Sequence, residues 1–112
     1  MNSIRQNKVS RLIQKELAEI FQRESRALFR GKLISVTVVR VSKDLSVAKI
    51  YLSIFPSEDA NETLSLIKQV SGQIRGALGN KVGKQLRIVP ELDFFIDDSL
   101  DYIDNIEKAL NK

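Results

Sequence analysis

Val9, Leu12, Ile13, Leu17, Ile20 and Phe21 recur at spacings of three and four, the signature of one buried helix face. They predict a helix over residues 1–29, with Ser3 as a candidate N-cap. Arg30-Gly31-Lys32 closes it, and Gly31 is suited to the left-handed conformation that ends helices. The period then changes. Leu33 to Val41 is rich in Val, Ile and Thr, which is strand chemistry. Strict alternation sends Ile34, Val36 and Val38 one way and Ser35, Thr37 and Val39 the other. Ser42 to Ser46 is a polar turn. Val47 to Phe55 follows as a second strand, with Ala48, Ile50, Leu52 and Ile54 on one face and Lys49, Tyr51 and Ser53 on the other. So short a connection makes the pair an antiparallel hairpin.

Pro56 to Ala60 reads as a loop, and Asn61 as the N-cap of the next helix, with Asp59 and Glu62 at its positive end. Leu64, Ile67, Val70, Ile74, Leu78 and Val82 form the buried side of that helix. Gly72, Gly76, Gly79 and Gly83 share its other side. Each interior glycine costs about 1 kcal/mol against alanine, so several in one helix imply a kink or a close approach to the backbone. A third strand is expected over Leu86 to Ile96, with Leu86, Ile88, Leu92, Phe94 and Ile96 on one side. Pro90 has no N–H for a ladder, which places this strand at an edge or bulges it. Asp98-Ser99 can cap a short last helix with Leu100, Ile103, Ile106 and Leu110 on its apolar side. The order is α-β-β-α-α-β plus that short helix. The long crossover makes the third strand parallel to a neighbour, and helices on one face of a small sheet give an α+β fold.

At 112 residues the chain is one domain, 1–112, with residues 97–112 as an acidic end. It has no apolar run long enough for a membrane span and no secretory leader pattern at its start. Cysteine and histidine are absent, which fits a reducing, cytoplasmic setting and excludes a Cys or His nucleophile and a zinc site. No metal, cofactor or small-molecule substrate is expected. Residues 1–96 carry 16 bases and 9 acids, and residues 97–112 carry 2 bases and 5 acids. A basic body points to a polyanion such as RNA, although a merely solvated surface explains the balance equally well.

From Thr63 to Pro90 the charges are Lys68, Arg75, Lys81, Lys84 and Arg87, with no Asp or Glu among them. They are the leading candidates for phosphate contacts, together with the bare backbone at Gly72. Arg75 in particular has no acid within helical reach and reads as a free surface arginine. Lys8, Arg11 and Lys15 form a second candidate surface on the first helix, continued by Arg23, Arg26 and Arg30. There Glu16, Glu19 and Glu24 offer intrahelical pairing as the competing reading. Arg40, Lys43 and Lys49 surround the hairpin, where Lys49 can lay its stem over apolar surface. Tyr51 and Phe95 fall on the less apolar strand faces. Asp97, Asp98, Asp101 and Asp104 cluster without a convergent partner, so capping is the stronger reading than an acid or metal site.

The strand order is that of a type II KH domain. A closer resemblance lies in Val41-Ser42-Lys43-Asp44-Leu45-Ser46-Val47-Ala48-Lys49, Ile74-Arg75, Arg87-Ile88-Val89-Pro90-Glu91-Leu92 and Asp97-Asp98-Ser99. Together these strings resemble the ribosome-binding factor A family along nearly the whole chain. The resemblance implies a non-catalytic KH-like domain that binds the immature small (30S) subunit and its 16S rRNA, acts in late rRNA processing, and supports growth in the cold. It also implies a kink at an Ala-x-Gly position, matched here by Val70-Ser71-Gly72, so that Ser71 and Gly72 mark the bend. The literal Gly76-Ala77-Leu78-Gly79 then falls past the kink, inside helix, rather than forming a KH loop. A monomer is expected, because the first helix has no heptad seam left for a partner. The competing assignment is an α+β protein-interaction module without RNA contact; an enzyme is the weakest, for want of any catalytic constellation.

Overall fold

The computed structural model describes residues 4–97. The Ser3 cap, the Asp98-Ser99 cap and the final helix fall outside the described residues. Helix α1 spans Ile4–Leu28, strand β1 Leu33–Val41 and strand β2 Val47–Phe55. A 3-10 turn, Ser57–Asp59, leads into α2 (Ala60–Gln69), followed by α3 (Ser71–Val82) and β3 (Glu91–Ile96). The sheet order is β1-β2-β3, with β1 antiparallel and β3 parallel to the central β2. This is the expected α+β, KH-like arrangement.

The core lies between the sheet and the helices. Ala48, Ile50 and Leu52 are fully buried at the centre of β2. Ile13, Leu17 and Ile20 of α1, Ile67 of α2, and Ile74, Leu78 and Val82 of α3 close over them. Phe21 packs against Phe29 and Phe94, with ring centroids 5.6 and 6.1 Å apart, and ties the end of α1 to β3. Arg30 (φ 53°) and Gly31 (φ 78°) both turn left-handed at the end of α1, and the Gly31 N–H reaches back to the Ser25 carbonyl at 2.9 Å.

Strand β1 departs from the expected alternation. Its register with β2 shifts between Val36 and Val38, so Thr37 is an extra residue. Beyond this bulge the faces exchange: Val38 is exposed while Val39 and Val41 are buried. The carbonyls freed there find a donor, because the Gln14 side-chain amide of α1 donates to Val36 O at 3.1 Å and Thr37 O at 3.2 Å. Nearer the start of the helix, the buried Gln6 amide donates to Val41 O at 2.9 Å. Two glutamines on one side of α1 thus fix the helix along β1, antiparallel to it.

Two other boundaries move. Asn61 is not the N-cap: α2 begins at Ala60, continuous with the 3-10 turn, whose Ser57 carbonyl accepts from the Ala60 N–H. Asp59 lies instead 3.7 Å from Lys32 Nζ. Strand β3 begins only at Glu91, and Ile88 is exposed rather than facing the core. Residues 83–90 form a turn and an irregular arm, closed by the Leu86 N–H donating to Val82 O at 2.8 Å, and Pro90 is buried at the threshold of the strand.

Replacing Gln14 by Leu removes a side-chain donor from two part-buried carbonyls. We expect a loss of roughly 1–3 kcal/mol in urea denaturation; an unchanged midpoint would show that water satisfies the bulge equally well.

Candidate nucleic-acid interface

The helical crossover is interrupted at Val70, whose φ of −99° and ψ of 14° lie outside the helical range. The break expected at Ser71 and Gly72 therefore sits one residue earlier, with Ser71 opening α3 and Gly72 in its first turn. Gly72 and Gly76 are exposed, and a Cβ on either would meet nothing within 4 Å. Internal packing therefore does not require glycine at either position. Both leave the backbone bare toward solvent, in shallow grooves they share with Arg75, Val89, Glu91 and Leu92. Gly76 to Gly79 lies within regular helix, so this Gly-x-x-Gly is not a loop.

The candidate cations divide into fixed and free. Arg75 is fixed. Its Nε donates to Pro90 O at 3.2 Å and a terminal guanidinium nitrogen to Val89 O at 2.7 Å. The expectation of a free surface arginine is thereby corrected: acids are not the only partners an arginine finds, and carbonyls of an irregular arm need donors. Lys81 is fixed too, 3.7 Å from Glu16 and 3.5 Å from Glu19 of α1. The pairing expected of these glutamates along α1 is directed to α3 instead, and Glu24 pairs with Arg23 at 3.2 Å.

The remaining cations are exposed. Lys8, Arg11 and Lys15 on α1, Lys68 on α2, and Lys84 and Arg87 on the 83–90 arm have no carboxylate within 4 Å among the described residues. Lys8 and Arg87 converge on a cleft of about 320 Å³ between the start of α1, the hairpin turn and the arm. Arg5 joins them there. Sequence reasoning passed over Arg5, although it precedes Lys8 by three residues on the same stripe. Lys43 precedes Asp44 in the turn that forms one wall. Pro90 lines this cleft and also accepts from Arg75, so the arm joins the cleft to the bare-backbone grooves of α3. Arg40 is not brought into this surface. It pairs in register with Lys49 on the sheet face away from the helices, where Asp93 is in register with Lys49 and the Tyr51 and Phe95 rings stack at 5.4 Å.

The turn wall is held by hydrogen bonds of its own. Asp44 Oδ1 accepts from Ser46 Oγ at 2.7 Å, Ser42 Oγ at 2.8 Å and the Ser46 N–H at 3.1 Å. The Ser46 hydroxyl, then the Ser42 hydroxyl, then the Ser46 N–H favour the carboxylate and hold it below its ordinary 3.8, at about 2. A depressed carboxyl stabilises the fold above its unfolded value, and that contribution fades as pH falls from about 4 through about 2. Leu45 holds a positive φ of 63° at the tip.

Comparison with known proteins decides the relationship. The family model described as ribosome-binding factor A matches residues 5–110. The chain belongs to the ribosome-binding factor A family. It is 52% identical over 112 residues to the ribosome-binding factor A of Cytophaga hutchinsonii, covering all of this chain and 84% of that one. With that of Flavobacterium johnsoniae it shares 52% over 111 residues, 98% of this chain and 85% of the relative. Among solved structures it resembles the ribosome-binding factor A of Thermus thermophilus, at 26% identity and a TM-score of 0.68 over 81% of this chain and 94% of that one. It is also similar to a Thermus thermophilus homology model fitted into the cryo-EM map of a 30S–RbfA complex, with a TM-score of 0.60 and 31% identity over 78% of this chain and 89% of that one.

Arg75→Ala should destabilise the protein by roughly 1–2 kcal/mol in thermal or urea unfolding, because it removes a charged donor from two carbonyls. Arg75→Lys should recover only part of that, since a single ammonium does not reproduce the guanidinium fork. A normal melt for Arg75→Ala would return Arg75 to the free cations.

Proposed function

We propose that this protein is a non-catalytic assembly factor that binds the small (30S) ribosomal subunit through its 16S rRNA and promotes late rRNA maturation, with its largest effect in the cold. The reading rests on one observation above the others: the exposed cations Lys8, Arg11 and Lys15 of α1 and Lys84 and Arg87 of the 83–90 arm, which lack carboxylate partners among the described residues, in a chain of this family. Neighbouring acids would neutralise such a surface if it were only solvated; here Glu16, Glu19 and Glu24 are committed to Lys81 and Arg23. A phosphate backbone supplies the missing negative charge. No helix among the described residues is long and apolar enough to cross a membrane, and no group of His, Cys, Asp or Glu there could hold a metal. The working form is a cytoplasmic monomer. Its first helix spends its apolar stripe on the sheet and on α3.

A second reading, a protein-interaction module that never touches RNA, draws on Leu33 and Phe55. These two face each other across β1 and β2 while 60% and 68% exposed. Such a pair suits a protein contact. It lies at the end of the hairpin remote from the turn that walls the basic cleft.

Two measurements separate the readings. Ala substitution of Lys8, Lys84 or Arg87 should weaken binding to small-subunit rRNA, with the melting temperature little changed. Each substitution should also reduce the log–log salt slope by about 0.7–0.9 for every phosphate no longer neutralised. Unchanged slopes in all of them would favour the protein-interaction module. In cells, loss of the protein should cause unprocessed small-subunit rRNA to accumulate at low temperature, and the tagged protein should sediment with free 30S particles rather than with translating ribosomes.

A further inference from the structure

The cleft where Arg5, Lys8 and Arg87 meet is more than a patch of charge. Its interior is apolar: Val9, Leu45, Leu86, Pro90 and the aliphatic side chain of Ile88 line it. Val9 and Pro90 are buried, whereas Ile88 is 68% exposed. A site for a bare phosphate needs no such lining, and the exposed Ile88 carries it out to the surface. A cavity of about 320 Å³ falls at the small end of the range of ligand sites. It combines an apolar wall, cations at the edge and one carboxylate.

The carboxylate is Asp44. Its three hydrogen bonds all fall on Oδ1, and Oδ2 has none among the described residues. Asp44 lines the cleft, so the turn brings an ionised acceptor to a site whose other charged groups are Arg5, Lys8 and Arg87. An acceptor is of no use to a phosphate, but it matches an amino group on the edge of a base.

We propose that this cleft is a subsite for one unstacked nucleobase of single-stranded RNA carrying an exocyclic amine. The base lies against Ile88, Leu86 and Leu45, and its amine donates to Asp44 Oδ2. The flanking phosphates meet Arg5, Lys8 and Arg87. Single-stranded RNA is usually read by splaying a base out of the stack onto an aromatic ring or an arginine plane; here Ile88, Leu86 and Leu45 offer an aliphatic face beside the Arg5 and Arg87 guanidiniums. The inference rests on the rRNA-binding reading above and adds a base-specific contact to its phosphate contacts. Uracil, which offers a carbonyl where cytosine offers the amine, should be disfavoured.

The test uses the full chain with short single-stranded oligocytidylate, oligouridylate and an abasic oligomer of equal length, titrated by NMR. Oligocytidylate should bind roughly five- to tenfold more tightly than oligouridylate, and the abasic oligomer should bind more weakly still. The amides of Leu45, Leu86 and Ile88 should shift with the first and not with the abasic strand. Ile88→Ser should weaken both base-bearing strands and leave the abasic one unchanged. Asp44→Asn keeps an oxygen for the Ser42 and Ser46 donors but replaces Oδ2 with an amide, so the preference for cytosine over uracil should vanish. Equal binding of the abasic strand, equal binding of cytosine and uracil, or an indifferent Ile88→Ser would each overturn the subsite. If the wild-type protein binds 30S particles while ignoring every oligonucleotide, the subsite falls and the rRNA-binding reading stands. Failure to bind either brings down both. Loss of 30S binding in Ile88→Ser with unchanged oligonucleotide affinity would assign the cleft to a protein segment and overturn the subsite.

Discussion

The two-residue period of β2 is the constraint on which the rest depends. Among the described residues it is the only strand paired on both sides, and its inward row of Ala48, Ile50, Leu52 and Ile54 is almost completely removed from water. A slip of one residue would turn Lys49 and Tyr51 into the core, so the register is strongly fixed. Both neighbours must conform to it. Strand β1 could not do so by simple alternation, because its apolar residues Val36, Val39 and Val41 are out of phase. The bulge at Thr37 absorbs the difference, and Gln14 satisfies the carbonyls that it frees. Strand β3 meets β2 from the far side of a helical crossover, and this makes it parallel.

The crossover has to meet two surfaces. Its first half packs toward β3, and its second half reaches α1. One straight helix cannot serve two directions, and the break at Val70 lets α2 and α3 diverge while Ile67 and Ile74 both remain buried. Gly72 and Gly76 lie just past the bend and are exposed. The break resides in a valine of ordinary handedness, so glycine is not needed to make it. What the glycines contribute is uncovered backbone at the surface.

The positions of β1 and β2, the hairpin, the parallel return and the buried side of the crossover were legible in the chain, because burial imposes a period on apolar residues. What periodicity does not encode was missed. A bulge changes the phase of a strand without changing its composition, so Val38 and Val39 exchange faces invisibly. The arm at residues 83–90 imitates a strand, with Leu86 and Ile88 in alternation, but Pro90 withholds a ladder N–H and the chain pairs only after it. Among the candidate site residues, the lack of acids near Arg75 and Lys81 in sequence describes local charge only. It gave no account of individual partners. Arg75 found carbonyls fourteen and fifteen residues away, and Lys81 found the glutamates of another helix.

This division of labour among the cations explains how a basic surface coexists with a stable fold. Crowding like charges destabilises the compact state. The chain limits that effect by using Lys81 as the bridge between α1 and α3, and Arg75 as the clamp on the arm. Both interactions are geometric and local, so neither depends on a bound polyanion. Lys8, Lys84 and Arg87 are then left exposed around elements whose positions are already fixed. A polyanion meeting them finds charges that need not give up internal partners, and it encounters an arm that Arg75 has already positioned. A phosphate contact at Arg75 or Lys81 would compete with the contacts these side chains already make within the fold. The fixed pair holds the arm and the α1–α3 contact in place, and Lys8, Lys84 and Arg87 stay exposed on elements so positioned.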